Sequence, residues 1–144
     1  MKLISHRGNL NGTNKDLENN PNQVDNVLSK GYDCEIDLYV RNKKFYLGHD
    51  SERYPINLDW IYERKKNLWI HCKNTEALET LFDHKELNYF WHENDTVTIT
   101  SRGYLWVYVG KQPVKNSIAV LPEKNNEKID GCIGVCSDII ERYK

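Results

Sequence analysis

No stretch of this chain is apolar for long enough to cross a bilayer; the longest runs, such as residues 117–121, fall far short. The four cysteines include no C-x-x-C pair, and Cys132 and Cys136 are too widely spaced to suggest one, so the usual zinc signature is missing. Cys34, Cys72 and Cys136 lie inside apolar runs and Cys132 just before one, so buried, reduced thiols are expected. A basic stripe is also lacking. Formal net charge is −1 with Lys and Arg scattered along the chain, which leaves no surface to track a nucleic-acid backbone. Residues 1–6 show no apolar h-region of a secretory signal, and a cytoplasmic protein without a transmembrane segment is the expectation. Repeats, low-complexity tracts and linkers are absent as well. What remains, 144 residues with 39% hydrophobic and 28% charged side chains, suits one domain spanning residues 1–144 with a single sizeable core.

The first half alternates strand and helix. A strand at residues 2–5 precedes a polar loop. Asn20 can then cap a helix with Pro21 in its first turn, Val24, Val27 and Leu28 as its buried stripe and Gly31 as its stop. The next strand, residues 33–40, sends Glu35, Asp37 and Tyr39 to one side and Cys34, Ile36 and Leu38 to the other. A hairpin through residues 41–44 leads to Phe45-Tyr46-Leu47 and then Gly48-His49-Asp50. A helix over residues 57–65, a strand at 68–72 and a helix capped by Asn74 or Thr75 follow. Such alternation argues for a parallel sheet. Residues 89–92, 97–100, 105–109, 118–121 and 132–136 then read as strands with little room for helices between them. Eight strands match a (β/α)8 barrel, although such barrels usually take about 200 residues or more. The expected fold is therefore α/β, a miniature (β/α)8 TIM-like barrel with reduced helices in its second half. An open α/β sheet is the alternative.

Four signals fall in order at the carboxyl ends of expected strands: His6-Arg7-Gly8, Glu35-Ile36-Asp37, Gly48-His49-Asp50 and His71-Cys72-Lys73. Parallel α/β folds put their active sites at those ends. Each signal alone reads as a surface turn or a solvated face; their joint order carries the weight. Glu35 and Asp37 leave one face of a strand together, and two inward carboxylates repel unless a cation joins them. Hard oxygen ligands suit Mg²⁺ or Ca²⁺. Lys73 and Arg7 can grip phosphate oxygens. His6 and His49 titrate near neutrality and suit proton transfer in both directions. His92, beside Trp91, lines the mouth or serves as a structural histidine; His84 is expected at the surface.

This set resembles the glycerophosphodiester phosphodiesterases of the phospholipase C-like phosphodiesterase superfamily. The resemblance rests on His6-Arg7-Gly8, Glu18-Asn19, Glu35-x-Asp37, His49-Asp50 and His71-x-Lys73, with a thinner echo in Leu105-Trp106-Val107-Tyr108 and in the final strand ending at Ser137-Asp138. It implies His6 and His49 as acid and base, Arg7 and Lys73 as catalytic cations, and Glu35, Asp37 and His71 as metal ligands. Arg7, Lys73, His92 and Trp106 then contact a small phosphodiester of glycerol or lysophospholipid type. His71 stands where the family carries a carboxylate, which admits Mn²⁺ beside Mg²⁺ and Ca²⁺. A catalytically silent module that binds a phosphorylated ligand is the rival reading. Finally, Tyr89, Phe90, Trp91, Tyr104, Leu105, Trp106 and Tyr108, on strands without helices to cover them, point to a homodimer through the late strands.

Overall fold

The computed structural model describes residues Met1–Lys144. Strand β1 (Lys2–His6) is followed by helix α1 (Pro21–Ser29), β2 (Asp33–Arg41) and the antiparallel strands β3 (Lys44–Leu47) and β4 (Tyr54–Ile56). Then come α2 (Leu58–Glu63), β5 (Leu68–Cys72), α3 (Thr75–Phe82), β6 (Tyr89–Phe90), β7 (Val97–Ile99), β8 (Leu105–Val107), β9 (Ser117–Val120) and β10 (Gly134–Ser137). Short 3₁₀ turns occupy Pro122–Lys124 and Ile140–Tyr143. No helix is long and apolar enough to cross a membrane.

Asparagines start all three helices. Asn20, Asn57 and Asn74 each sit at an N-cap, accepting from the backbone N–H of Asn22, Trp60 and Ala77.

The expected (β/α)8 barrel does not form. The chain builds one mixed sheet curled into a half-barrel, with three α-helices, all of them before residue 83. Along the sheet the order is β4-β3-β2-β1-β10-β9-β8-β7, and β5 joins the other edge of β2 with β6 beyond it. Pairing is parallel from β6 through β5, β2, β1, β10 and β9 to β8; β3, β4 and β7 run antiparallel. The physical cause is chain length. A helical crossover between parallel strands takes a dozen or more residues. Residues 91–96, 100–104 and 108–116 are too few for one, and residues 121–133 hold only a 3₁₀ turn.

The two faces of the sheet are filled differently. On the outer face Cys34, Ile36, Leu38 and Val40 of β2 meet Leu68, Ile70 and Cys72 of β5 and the helix residues Val24, Val27, Ala77 and Leu81. Truncating Ile36 to alanine here should lower unfolding free energy by about 2–5 kcal/mol. Urea denaturation followed by circular dichroism checks this. The inner face is aromatic: Trp106 lies with its ring 4.7 Å from that of Phe90 and 5.7 Å from that of Trp69.

Those rings also bear on the expected dimer. Phe90 and Trp106 are buried, and Tyr89, Trp91, Tyr104, Leu105 and Tyr108 are half-buried rather than exposed. The exposed aromatic flank on which a dimer would rest is therefore not there: Phe90, Tyr104 and Trp106 pack on the concave side, Tyr108 lines its cleft, and Tyr89 and Trp91 pack against the outer core. All four cysteines are free, with Cys34, Cys72 and Cys136 buried.

Candidate active site

Strand ends gather the charged residues in a cleft of about 610 Å³ on the concave side. His6, Arg7, Glu35, His49, His71, Lys73, His92 and Trp106 all line it, and Asp37 lies fully buried beneath. Every sequence-predicted site residue is thus brought to one place. Sheet register explains much of this. Glu35 pairs with His6 across β1–β2, and Asp37 pairs with His71 across β2–β5, so strands with period-two alternation send all four side chains to one face.

Asp37 is the hub. Its Oδ2 lies 3.1 Å from Arg7 Nε and accepts from Asn19 Nδ2 at 2.9 Å, with His49 Nδ1 at 3.5 Å. Asn19 returns the bond, its Oδ1 accepting from the Asp37 backbone N–H at 2.9 Å. Arg7 and Asn19 both hold left-handed backbone, φ 56° and 61°, and Asn19 N–H donates to the Arg7 carbonyl at 2.9 Å. Strained residues of this kind concentrate at functional sites.

Asp37 Oδ1, by contrast, has no hydrogen-bond donor. The nearest group is His71 Nδ1, 3.2 Å away, which is also 3.9 Å from Glu35 Oε1. His71 Nε2 lies 3.1 Å from the His92 carbonyl oxygen, an acceptor only, so Nε2 carries the proton. In the neutral ring Nδ1 then presents a lone pair to two carboxylates. A cation bound there would join all three groups. A metal-ligating histidine commonly has this form, its far N–H donated to a backbone carbonyl. Glu35, Asp37 and His71 offer three donor atoms within 4.8 Å of one another. The donor set fits a divalent ion, with two hard oxygens and one imidazole nitrogen suiting Mg²⁺, Ca²⁺ or Mn²⁺.

The carboxylate pair is electrostatically divided. Burial, and then the Asp37 charge, push Glu35 well above the usual carboxylate range, against the pull of Arg7 and Lys73. Burial would raise Asp37 too, but His49, His71 and Arg7 outweigh it and hold Asp37 well below that range.

His6 is held from behind. Its Nδ1–H donates to Asp138 Oδ1 at 2.7 Å, leaving the Nε2 lone pair facing the cleft, 4.0 Å from Glu35 Oε2. Asp138 also accepts from Asn9 Nδ2 at 2.8 Å and Thr13 Oγ1 at 3.2 Å, while its backbone N–H donates to Glu123 at 3.2 Å. Burial alone would raise Asp138; the His6 bond and charge and the Asn9 bond prevail and bring it to about 2. A carboxyl shifted down contributes stability above its unfolded value near 4 and loses it as pH falls to about 2. Asp138→Asn should therefore be less stable than wild type at pH 5, with the gap closing between about pH 4 and 2. Urea midpoints across that range measure it.

His49 is the more exposed partner, its side chain 36% exposed against 11% for His6, with Nε2 3.3 Å from Arg7 Nη2. Tyr39 hydroxyl anchors the loop by donating to the His49 carbonyl at 3.0 Å. Gly48, at φ 156°, leaves no room for a Cβ against the Ser51 carbonyl and the Arg53 backbone. His92 donates Nδ1–H to Asp95 at 3.0 Å, and Trp106 is almost wholly buried at the inner end of the cleft. His84, half-buried, bonds the Tyr62 hydroxyl at 2.6 Å, away from the site.

Sequence reasoning assigned no role to Asp138, Asn9 or Asn19. The last two sit in a polar loop, where asparagine usually signals a turn. Asp138 is 132 residues from His6 and meets it only because β10 pairs with β1. No family model matches the chain, and searches of curated proteins and of solved structures return no match.

Proposed function

We propose that the protein is a metal-dependent phosphodiesterase acting on a small phosphodiester of glycerol or lysophospholipid type. The observation that carries this reading is the cluster of His71 Nδ1 with the two buried carboxylates of Glu35 and Asp37, directly beside a histidine backed by an aspartate. Glu35, Asp37 and His71 would hold the cation, which supplies charge neutralisation at the phosphate. Arg7 and Lys73 add positive charge at the cleft wall and orient the phosphate oxygens. His6, its tautomer fixed by Asp138, takes the proton from an attacking water. The new O–P bond forms as the P–O bond to one alcohol breaks, and His49 delivers a proton to the departing oxygen. The products are a phosphomonoester and a free alcohol. Four free cysteines fit a cytoplasmic setting, where thiols stay reduced.

The test is incubation with glycerophosphodiesters and lysophospholipids, with Mn²⁺ or Mg²⁺ and with chelator, followed by phosphorus NMR. Product appearing only with metal supports the proposal. Tight binding of these diesters without turnover would make the cleft that of a phospho-ligand-binding module instead.

A further inference from the structure

The cleft differs at its two ends. Beside His49 it opens into a groove of about 460 Å³ lined by Lys15, Glu18, Asn19, Asp50, Ser51 and Arg53 among others, with no hydrophobic side chain. Beside the His6–Asp138 pair, where β9 and β8 continue the sheet from β10, the wall changes to Trp106, Tyr108, Val109, Val120 and Leu121. These are all the hydrophobic side chains that the cleft has. Arg7, Lys73 and the carboxylates stand between the two ends.

We propose that the cleft takes asymmetric phosphodiesters, with a polar alcohol in the groove beside His49 and an apolar one on the Trp106–Leu121 shelf beside His6. This rests on the phosphodiesterase reading and adds the class of substrate. Three observations support it. Of the polar residues on the shelf side of the cleft, Thr13, Glu93, Asn94 and Lys124 are exposed at the rim, and His92, its ring 4.8 Å from that of Tyr108, already donates Nδ1–H to Asp95, so a hydroxylated alcohol seated on the shelf finds little to bond. Tyr108 and Val109 are half-buried at the cleft edge, next to buried Trp106, and present apolar surface that the core does not consume. Leu121 holds φ 47°, a left-handed conformation uncommon for a bulky side chain, with its N–H tied to the Cys136 carbonyl at 2.7 Å. That backbone strain places Leu121 in the wall and turns Glu123 back toward Ser137 and Asp138.

The experiment compares two diesters that differ only in a phenyl ring, 2-phenylethyl methyl phosphate and ethyl methyl phosphate. Calorimetric titration into the full chain in Mn²⁺ buffer should show the phenylethyl diester binding about tenfold more tightly, from partial burial of the ring. Tyr108→Ala should cut the ratio to about twofold or less through the same loss of apolar area. Val109→Thr, which keeps the volume and adds a hydroxyl, should lower it as well and serves if Tyr108→Ala does not fold. Equal affinities, or a ratio that neither substitution moves, overturn the proposal while leaving the phosphodiesterase reading in place. Absence of binding by either diester, together with absence of turnover, overturns both.

Discussion

His6→Ala lowers phosphodiester turnover by about 10²–10⁴-fold, the usual effect of losing a general acid or base, and His49→Ala does the same. The two losses have different companions. His6 is fixed by the Asp138 bond at 2.7 Å, so Asp138→Asn should weaken turnover through His6, with a changed pH profile, since an amide cannot favour the Nδ1–H tautomer or the imidazolium in the same way. No equivalent carboxylate backs His49 at short range: Asp37 Oδ2 is 3.5 Å away and Asp50 Oδ1 3.6 Å. Its variant should therefore respond more to substrates with better leaving groups, because an activated alcohol needs less protonation. Rates for a matched pair of alkyl and nitrophenyl diesters separate the roles. Wild-type rates in either alanine variant, on a substrate the native protein cleaves, would sink the acid–base assignment.

How far the site was legible in the sequence follows from the range of the interactions. Glu35 and Asp37 were placed on the concave face by strand alternation alone, because Cys34, Ile36 and Leu38 claim the other face for the helices. His71 and Lys73 followed by the same rule, and register then brings His71 opposite Asp37. The supporting partners were not assigned, since their bonds join loops to distant strand ends: Asn19 to Asp37 and Asp138 to His6. The fold was half legible. The early β–α alternation was expected and found, whereas strand β4, Tyr54-Pro55-Ile56, was concealed by a proline that usually argues against a strand. It is tolerated because β4 is the sheet's outer edge. Counting strands suggested a barrel, but strand count does not set closure. Without crossover helices the late strands add by short turns, β7 reverses, and the rings meant for a dimer flank divide between the outer core and the concave side.

Glu35→Gln stabilises the metal-free protein and removes its response to metal. Glu35 is 2% exposed, faces Asp37, and has the Arg7 backbone N–H at 3.3 Å as its one hydrogen bond. Neutralising an inadequately paired buried charge should raise unfolding free energy by about 1–3 kcal/mol near neutral pH. The sign with pH is fixed by the upward shift. The folded state holds the Glu35 proton to higher pH than the unfolded chain does, so wild-type stability declines as pH rises out of the usual carboxylate range. The gap between Glu35→Gln and wild type should accordingly be small in acid and open toward neutrality. Metal reverses the ranking. A cation binding only the folded state adds about 2.7 kcal/mol at a concentration 100 times its dissociation constant. Wild type should gain this with Mn²⁺ or Mg²⁺, whereas the glutamine variant, short of one anionic ligand, gains little. Thermal melts with and without metal, at pH 5 and 7.5, read both effects without reference to any substrate. A glutamine variant that is less stable without metal, beside a wild type indifferent to every divalent ion tried, would make Glu35 a structural partner of Arg7 and His6 rather than a ligand.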